Sequence, residues 1–315
     1  MVSAQLSNAT FLPLASLAVL FSATSVEADL CSGSTSQSLG VVGLPAQAQA
    51  IDSAKFASVA SVPPPSEYNG TTIWVPPGTT RQGLKDRPFL VYDPDFLEII
   101  GHEPKLVRIA ESEQDPLFHE AVVWTPETDE VFFAQSAGNP AAGTGLNKSA
   151  IVQKISVAEA LQIASGNKTG PIKIETITSN PPVINPNGIA FSPDGKYVYV
   201  TDTGAYHGNF GYDWARPATI YRFDVTPDGT FENRMTFAFA DLGVPDGIHC
   251  DSKGNVYAAC GDGVHVWNPS GKLLGNIFVD DIAGNFQFIG DGRMVICAET
   301  RLYLALVAAK PAPIH

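Results

Sequence analysis

One strand–turn–strand unit recurs along this chain, and it limits the possible folds more than any other feature. The clearest copy runs Asn187-Gly188-Ile189-Ala190-Phe191-Ser192-Pro193-Asp194-Gly195-Lys196-Tyr197-Val198-Tyr199-Val200. Proline fixes φ in the turn, aspartate can bond its own backbone, and glycine accepts a positive φ. The β-branched and aromatic run that follows is strand-forming. Asp246-Gly247-Ile248-His249-Cys250-Asp251-Ser252-Lys253-Gly254-Asn255-Val256-Tyr257 repeats the unit with one residue fewer after the turn. The stretch from Glu120 through Thr125-Pro126 to Phe133 repeats it without a gap, and Gly284 to Ile296 is a weaker copy. Units that cannot bury their own faces must stack on one another. Stacked strand–turn–strand units predict an all-β fold, a β-propeller.

Aligned on their turns, Glu120, Asn187, Asp246 and Asn285 occupy the same position in the four copies. The innermost strand of a propeller blade lines the central channel, so equivalent positions near its start converge on the axis. Two carboxylates with an amide form a hard-oxygen set suited to Ca²⁺ or a similar cation. Carboxylates crowded together need a cation or a shared proton. The plainer alternative is that Asn and Asp before Gly are turn formers. Glu120 argues against it, because Glu is not a turn residue and here precedes an apolar strand.

These residues carry a resemblance. Pro186-Asn187-Gly188-Ile189-Ala190-Phe191-Ser192-Pro193-Asp194-Gly195-Lys196 and Pro245-Asp246-Gly247-Ile248, with His119-Glu120 ahead of the Trp124 strand, resemble the senescence-marker-protein/gluconolactonase family. Within it they are most similar to the secreted fungal lactonohydrolases. The resemblance covers about residues 88–308. It implies a six-bladed propeller with one divalent cation, most often Ca²⁺, at the channel mouth, and hydrolysis of lactones. By this resemblance Glu120, Asn187 and Asp246 match the metal ligands, and Asp246 also matches the general base.

Three departures accompany it. Glu120 is followed by Ala121-Val122 where the family has Gly-Pro. The family's second metal-binding Asn, in an Asn-Asp motif on a middle blade, has no counterpart. Only about four blades are recognisable, within the range of about four to eight that propellers adopt. Ser179 to Asn187 resembles the end of the family's first blade, whereas Ile189 onward resembles a blade much further along. We expect about 80 residues, two blades at roughly 40 each, to be missing near position 187 through splicing, a gene-model error or a true deletion. Such a loss would expose strand edges and weaken cation binding by removing a ligand.

The rest of the chain is read in segments. Residues 1–28 carry an apolar run from Phe11 to Phe21 and end in Val26-Glu27-Ala28, which reads as a signal peptide without a basic start. That predicts a secreted, extracellular protein whose mature chain does not insert in a membrane. The sequons at Asn69, Asn147 and Asn167 are consistent with this. Residues 29–85 read as a poorly ordered leader that docks in patches, with a short strand over 71–75; 86–310 form the propeller and 311–315 a tail. One of the strand-like runs Phe89–Tyr92 and Leu106–Ile109 is expected to complete the last blade. Net charge is −13 with only 16% charged residues, which argues against nucleic acid and anionic membranes as partners.

Cys31, Cys250, Cys260 and Cys297 contain no C-x-x-C pair, so structural zinc is not expected. Two disulfides and buried core thiols both remain open, with strand placement favouring core for at least two. Gly-x-Ser-x-Gly does not occur. The long segment from Thr203 to Ala218 offers Tyr206, His207, Trp214 and Arg216, with Tyr212, as a roof over a substrate pocket. His119 is a further substrate-side or acid–base candidate. The expected function is a divalent-cation-dependent hydrolase that opens lactones or esters by metal-activated water. The alternative is a non-catalytic propeller that binds a small molecule or protein through its loops.

Overall fold

The computed structural model describes residues 43–52, 72–113, 117–134, 152–178, 188–206 and 211–313. Eighteen strands in this set form four sheets arranged as propeller blades. The signal peptide, Cys31, Asn69, Asn147, Asn187 and His207 lie outside the described residues.

β1 (Ala48–Ala50) runs parallel to β2 (Phe89–Val91), with helix α1 (Arg81–Asp86) between them. Thr80 caps α1, its hydroxyl accepting from the Gly83 N–H at 3.0 Å. The strand expected over 71–75 does not form at its described residues 72–75, and Trp74 is exposed. Helix α2 (Phe96–Ile100) then leads to β3 (Lys105–Glu111).

The first blade is β4 (Glu120–Thr125), β5 (Glu130–Ala134), β6 (Val152–Ser156) and β7 (Glu175–Thr178). Helix α3 (Val157–Ala164) separates β6 from β7, and the Ser156 hydroxyl accepts from the Glu159 N–H. The sequon residue Asn167 follows it and is exposed.

The second blade is β8 (Ile189–Phe191), β9 (Tyr197–Asp202), β10 (Thr219–Val225) and β11 (Phe231–Phe239). The Ser-Pro-Asp-Gly turn closes β8 to β9 as its chemistry requires: Ser192 Oγ donates to Asp194 Oδ1 at 2.7 Å, and Gly195 takes φ +67°. The third blade is β12 (Ile248–Cys250), β13 (Val256–Cys260), β14 (Gly263–Trp267) and β15 (Leu273–Phe278), extended by β2 and β1. The fourth is β16 (Asn285–Phe288), β17 (Arg293–Ala298) and β18 (Arg301–Leu306), completed by β3 from the N-terminal side. This pairing fulfils the expectation for the Leu106–Ile109 run.

Three of the seams between blades are filled by apolar side chains. Tyr199, Ile220, Ile248, Ala258 and Trp267 fill the seam between blades two and three. Val264, Ile277, Phe286, Met294 and Ile296 fill that between three and four. Ile109, Phe133, Ile155, Val295 and Leu302 fill that between four and one. Cys250, Cys260 and Cys297 are buried in these seams. The innermost strands pack β8 on β12, β12 on β16 and β16 on β4. Among the described residues β4 and β8 share no comparable packing. Val123 on β4 and Ile189 on β8 remain 53% and 52% exposed.

Candidate active site at the channel mouth

Within each blade the first strand starts at one end of the channel, and the second hairpin turn returns the chain to that same end. Two kinds of segment therefore meet at the mouth: the starts of β4, β8, β12 and β16, and the β9–β10, β13–β14 and β17–β18 connections.

The starts are bonded to their neighbours. The Asp246 N–H donates to Ala259 O at 2.9 Å, and the Gly247 N–H crosses to Gly284 O on the next blade at 3.0 Å. The approach is close enough to require glycine. A Cβ on Gly188 would lie 2.6 Å from Asp246 O, and one on Gly247 only 2.5 Å from Asn285 Oδ1. A Cβ on Gly284 would lie 3.0 Å from His119 Nδ1. The starts of the repeats thus follow one another around the axis, with Gly188 against Asp246, Gly247 against Asn285 and Gly284 against His119. Glu120 opens β4 opposite Ala134, and a bulge separates that pair from Val123 and Phe132. In this bulge Ala121 takes φ +55°, a conformation natural to glycine.

Glu299, in the β17–β18 turn, is the site residue that the repeat alignment missed. Its Oε1 lies 2.6 Å from His119 Nδ1, and its carbonyl accepts the Phe118 N–H at 2.9 Å. Both side chains are partly exposed. Glu299 holds φ +53°, uncommon for a residue with a long side chain. The available signal was topological: it lies in the second hairpin turn of its blade, not at the first polar position of a repeat.

The long β9–β10 connection reaches over the same end. Tyr206 pairs with Tyr212 at 5.0 Å between ring centroids, and Tyr212 stacks on Trp214 at 4.7 Å and 11°. Burial, then the charges of Glu299 and Asp246, push the Tyr206 phenol above its ordinary pKa. Burial, Tyr206 and Glu299 do the same to Tyr212. Tyr206, His119, Glu299 and Asp246 therefore share one electrostatic neighbourhood. Arg216 bonds Asp213 at 3.1 Å and lines a different hollow, an open groove of about 440 Å³ with Asp202, Gly204, Tyr206, Tyr221 and Phe223.

The donors described at the mouth are the carboxylate of Asp246 and the carboxamide of Asn285, hard-oxygen chemistry that fits a Ca²⁺-like ion. Asn285 Oδ1 also accepts the Phe286 N–H at 2.8 Å. Among the described residues no group of three His, Cys, Asp or Glu side chains gathers closely enough to hold a metal ion. Asn187 lies outside those residues, and Glu120 is placed by its backbone alone.

Comparison with known proteins finds similarity over part of the chain. Residues 156–298 match the family model described as SMP-30/Gluconolactonase/LRE-like region. The lactonohydrolase oryH of Aspergillus oryzae is 36% identical over 118 residues, 33% of this chain and 25% of that protein. The lactonohydrolase oryL of the same organism is 32% identical over 124 residues, 35% of this chain and 28% of that protein. A gluconolactonase of Zymomonas mobilis is 30% identical over 100 residues, 29% of this chain and 25% of that protein. The chain thus spans about a quarter of the length of the curated relatives it matches. The glycine-spaced starts of β8, β12 and β16 and the propeller sheets agree with this match, and residues 156–298 are similar to the SMP-30/gluconolactonase/LRE-like family.

Proposed function

We propose that this protein is a divalent-cation-dependent hydrolase that opens lactones at the mouth of its channel. The observation that carries the reading is the convergence of Asp246, Asn285, His119 and Glu299 on one end of a propeller whose relatives are lactone hydrolases. Glu120, Asn187 and Asp246 would hold the cation, with Ca²⁺ the best match to oxygen donors. When bound, the ion supplies Lewis-acid polarisation of the lactone carbonyl and stabilises charge developing on its oxygen.

The chain's own residues do the rest. Asp246 accepts a proton from the attacking water as general base. Glu299 fixes the orientation of the His119 ring beside it. Tyr206 and the Tyr212–Trp214 stack cover the mouth, where they shield the reacting ester and present aromatic surface to the substrate. The N-terminal 28 residues would export the protein, and a small lactone is the expected partner.

The direct test is hydrolysis of glucono-δ-lactone by the full chain, with millimolar Ca²⁺ or with EDTA. Asp246→Asn is expected to lower kcat by about a hundredfold or more, as loss of a general base does. EDTA is expected to abolish turnover in the parent protein. Full activity in Asp246→Asn, or indifference to EDTA, would overturn the reading.

A further inference from the structure

A second charged cluster lies behind the mouth, inside the third blade, and the chemistry above does not use it. His265 on β14 is only 3% exposed. Its Nε2 lies 2.7 Å from Asp262 Oδ1, and its Nδ1 lies 3.5 Å from Asp241 Oδ1. Asn276 on β15 donates to the other Asp262 oxygen at 3.0 Å. Two carboxylates on either side of one buried imidazole favour the ring that carries both protons.

The cluster also spans a particular stretch of chain. Asp241 is the second residue of the connection from β11 to β12, and five residues later that connection delivers Asp246 to the mouth. Between them the Gly261 N–H donates to Leu242 O at 3.0 Å, and a Cβ on Gly243 would lie 2.7 Å from Gly261 Cα. Residues 241–246 are thus pressed flat on the β13–β14 hairpin. The ion contact holds one end and the Asp246 N–H to Ala259 O bond holds the other.

We infer that His265, in its doubly protonated form, is a positioning residue that clamps residues 241–246 to the β13–β14 hairpin through Asp241 and Asp262, and so fixes where the Asp246 carboxylate sits. The contacts of the clamp are geometric; its consequence for turnover rests on the reading of Asp246 given above. The titratable groups facing His265 are Asp262 from the hairpin turn, Asp241 from the connection, and Cys260 from β13. Tyr92, after β2, reaches the cluster through Asn276. Burial pulls the imidazole pKa down, but the charge and hydrogen bond of Asp262, with the charge of Asp241, outweigh it and hold the ring above its ordinary value. Burial and the Asp262 charge raise the Asp241 carboxyl, and His265 opposes them.

The test uses the full chain with labelled histidine, alongside His265→Gln and Asp241→Asn. The second variant leaves the Asp262–His265 pair intact and serves if the first does not fold. Imidazole nitrogen shifts at pH 7.5 are expected to report a doubly protonated His265 ring. Amide exchange in residues 241–247 is expected to rise about tenfold or more in either variant, while exchange in β17 stays unchanged. In a lactone-active parent, kcat should fall by about tenfold at unchanged KM. A neutral ring, or unchanged exchange over 241–247, would overturn the clamp. So would an undiminished kcat in a variant of an active parent. A parent without lactone turnover defeats the proposed function instead, and the ring and exchange measurements still decide the clamp.

Discussion

At the scale of single residues, two histidines sixteen positions apart in the third blade carry opposite electrostatics. His249 packs edge-on against Phe286 at 5.1 Å, and desolvation lowers its pKa from 6.5 to about 4. His265 lies between two carboxylates and is raised. The consequences for stability have opposite signs. The unfolded chain binds a proton at position 249 more readily than the folded one, so stability from a neutral His249 is complete above pH 6.5 and lost as pH falls toward 4. The contribution of His265 is complete below pH 6.5 and lost as pH rises through its raised folded value. A full shift at His249 corresponds to up to about 3 kcal/mol. Urea unfolding of His249→Asn between pH 7 and pH 4 is therefore expected to lose less stability than the parent, by up to about that amount. Equal losses would refute the assignment.

At the scale of elements, the blades follow from alternation, and the site follows from connections. The β8 strand reads exposed–buried–exposed over Ile189, Ala190 and Phe191, and its buried residue faces the third blade. Turn chemistry set the hairpin ends, so the strands were legible from the repeat. Glu299 was not, because no repeat spacing marks a residue in a second hairpin turn. Nor was the Asp241–His265–Asp262 cluster, whose members come together only when β11 and β14 are folded. The short strand expected over 71–75 does not form at its described residues, where local propensity alone did not decide the structure. The aromatic loop was visible as composition, but its stack was not. Trp214→Ala removes the ring stacked on Tyr212, and such a contact contributes about 0.5–1.5 kcal/mol. We expect KM for the lactone to rise about threefold to tenfold with kcat little changed; an unchanged KM would remove Trp214 from the substrate side.

At the scale of the whole molecule, the four blades form three filled seams, and β4 and β8 bound the position where a fourth would lie. Phe191, Phe231 and Phe223 gather on the β8–β11 face, with Phe191 and Phe231 at 6.0 Å. Exposed apolar strand faces favour self-association. Light scattering is expected to show concentration-dependent association of the parent, reduced in Ile189→Thr/Phe191→Ser; equal association of both would place the contact elsewhere. An in-frame transcript carrying about 80 further residues near codon 187, two blades of roughly 40, would supply cover for this face.

The central claim is that this ring still forms a cation site at its mouth, and thermal unfolding tests it most directly. A ligand bound only by the folded chain stabilises it by RT ln(1 + [L]/Kd), about 2.7 kcal/mol at a hundredfold excess over Kd. For a domain of this size that raises Tm by about 5 °C. Melting of the full chain with millimolar Ca²⁺ against EDTA is expected to show such a rise, and Asp246→Asn is expected to lose most of it. A cooperative transition whose midpoint is the same in both conditions would contradict the account.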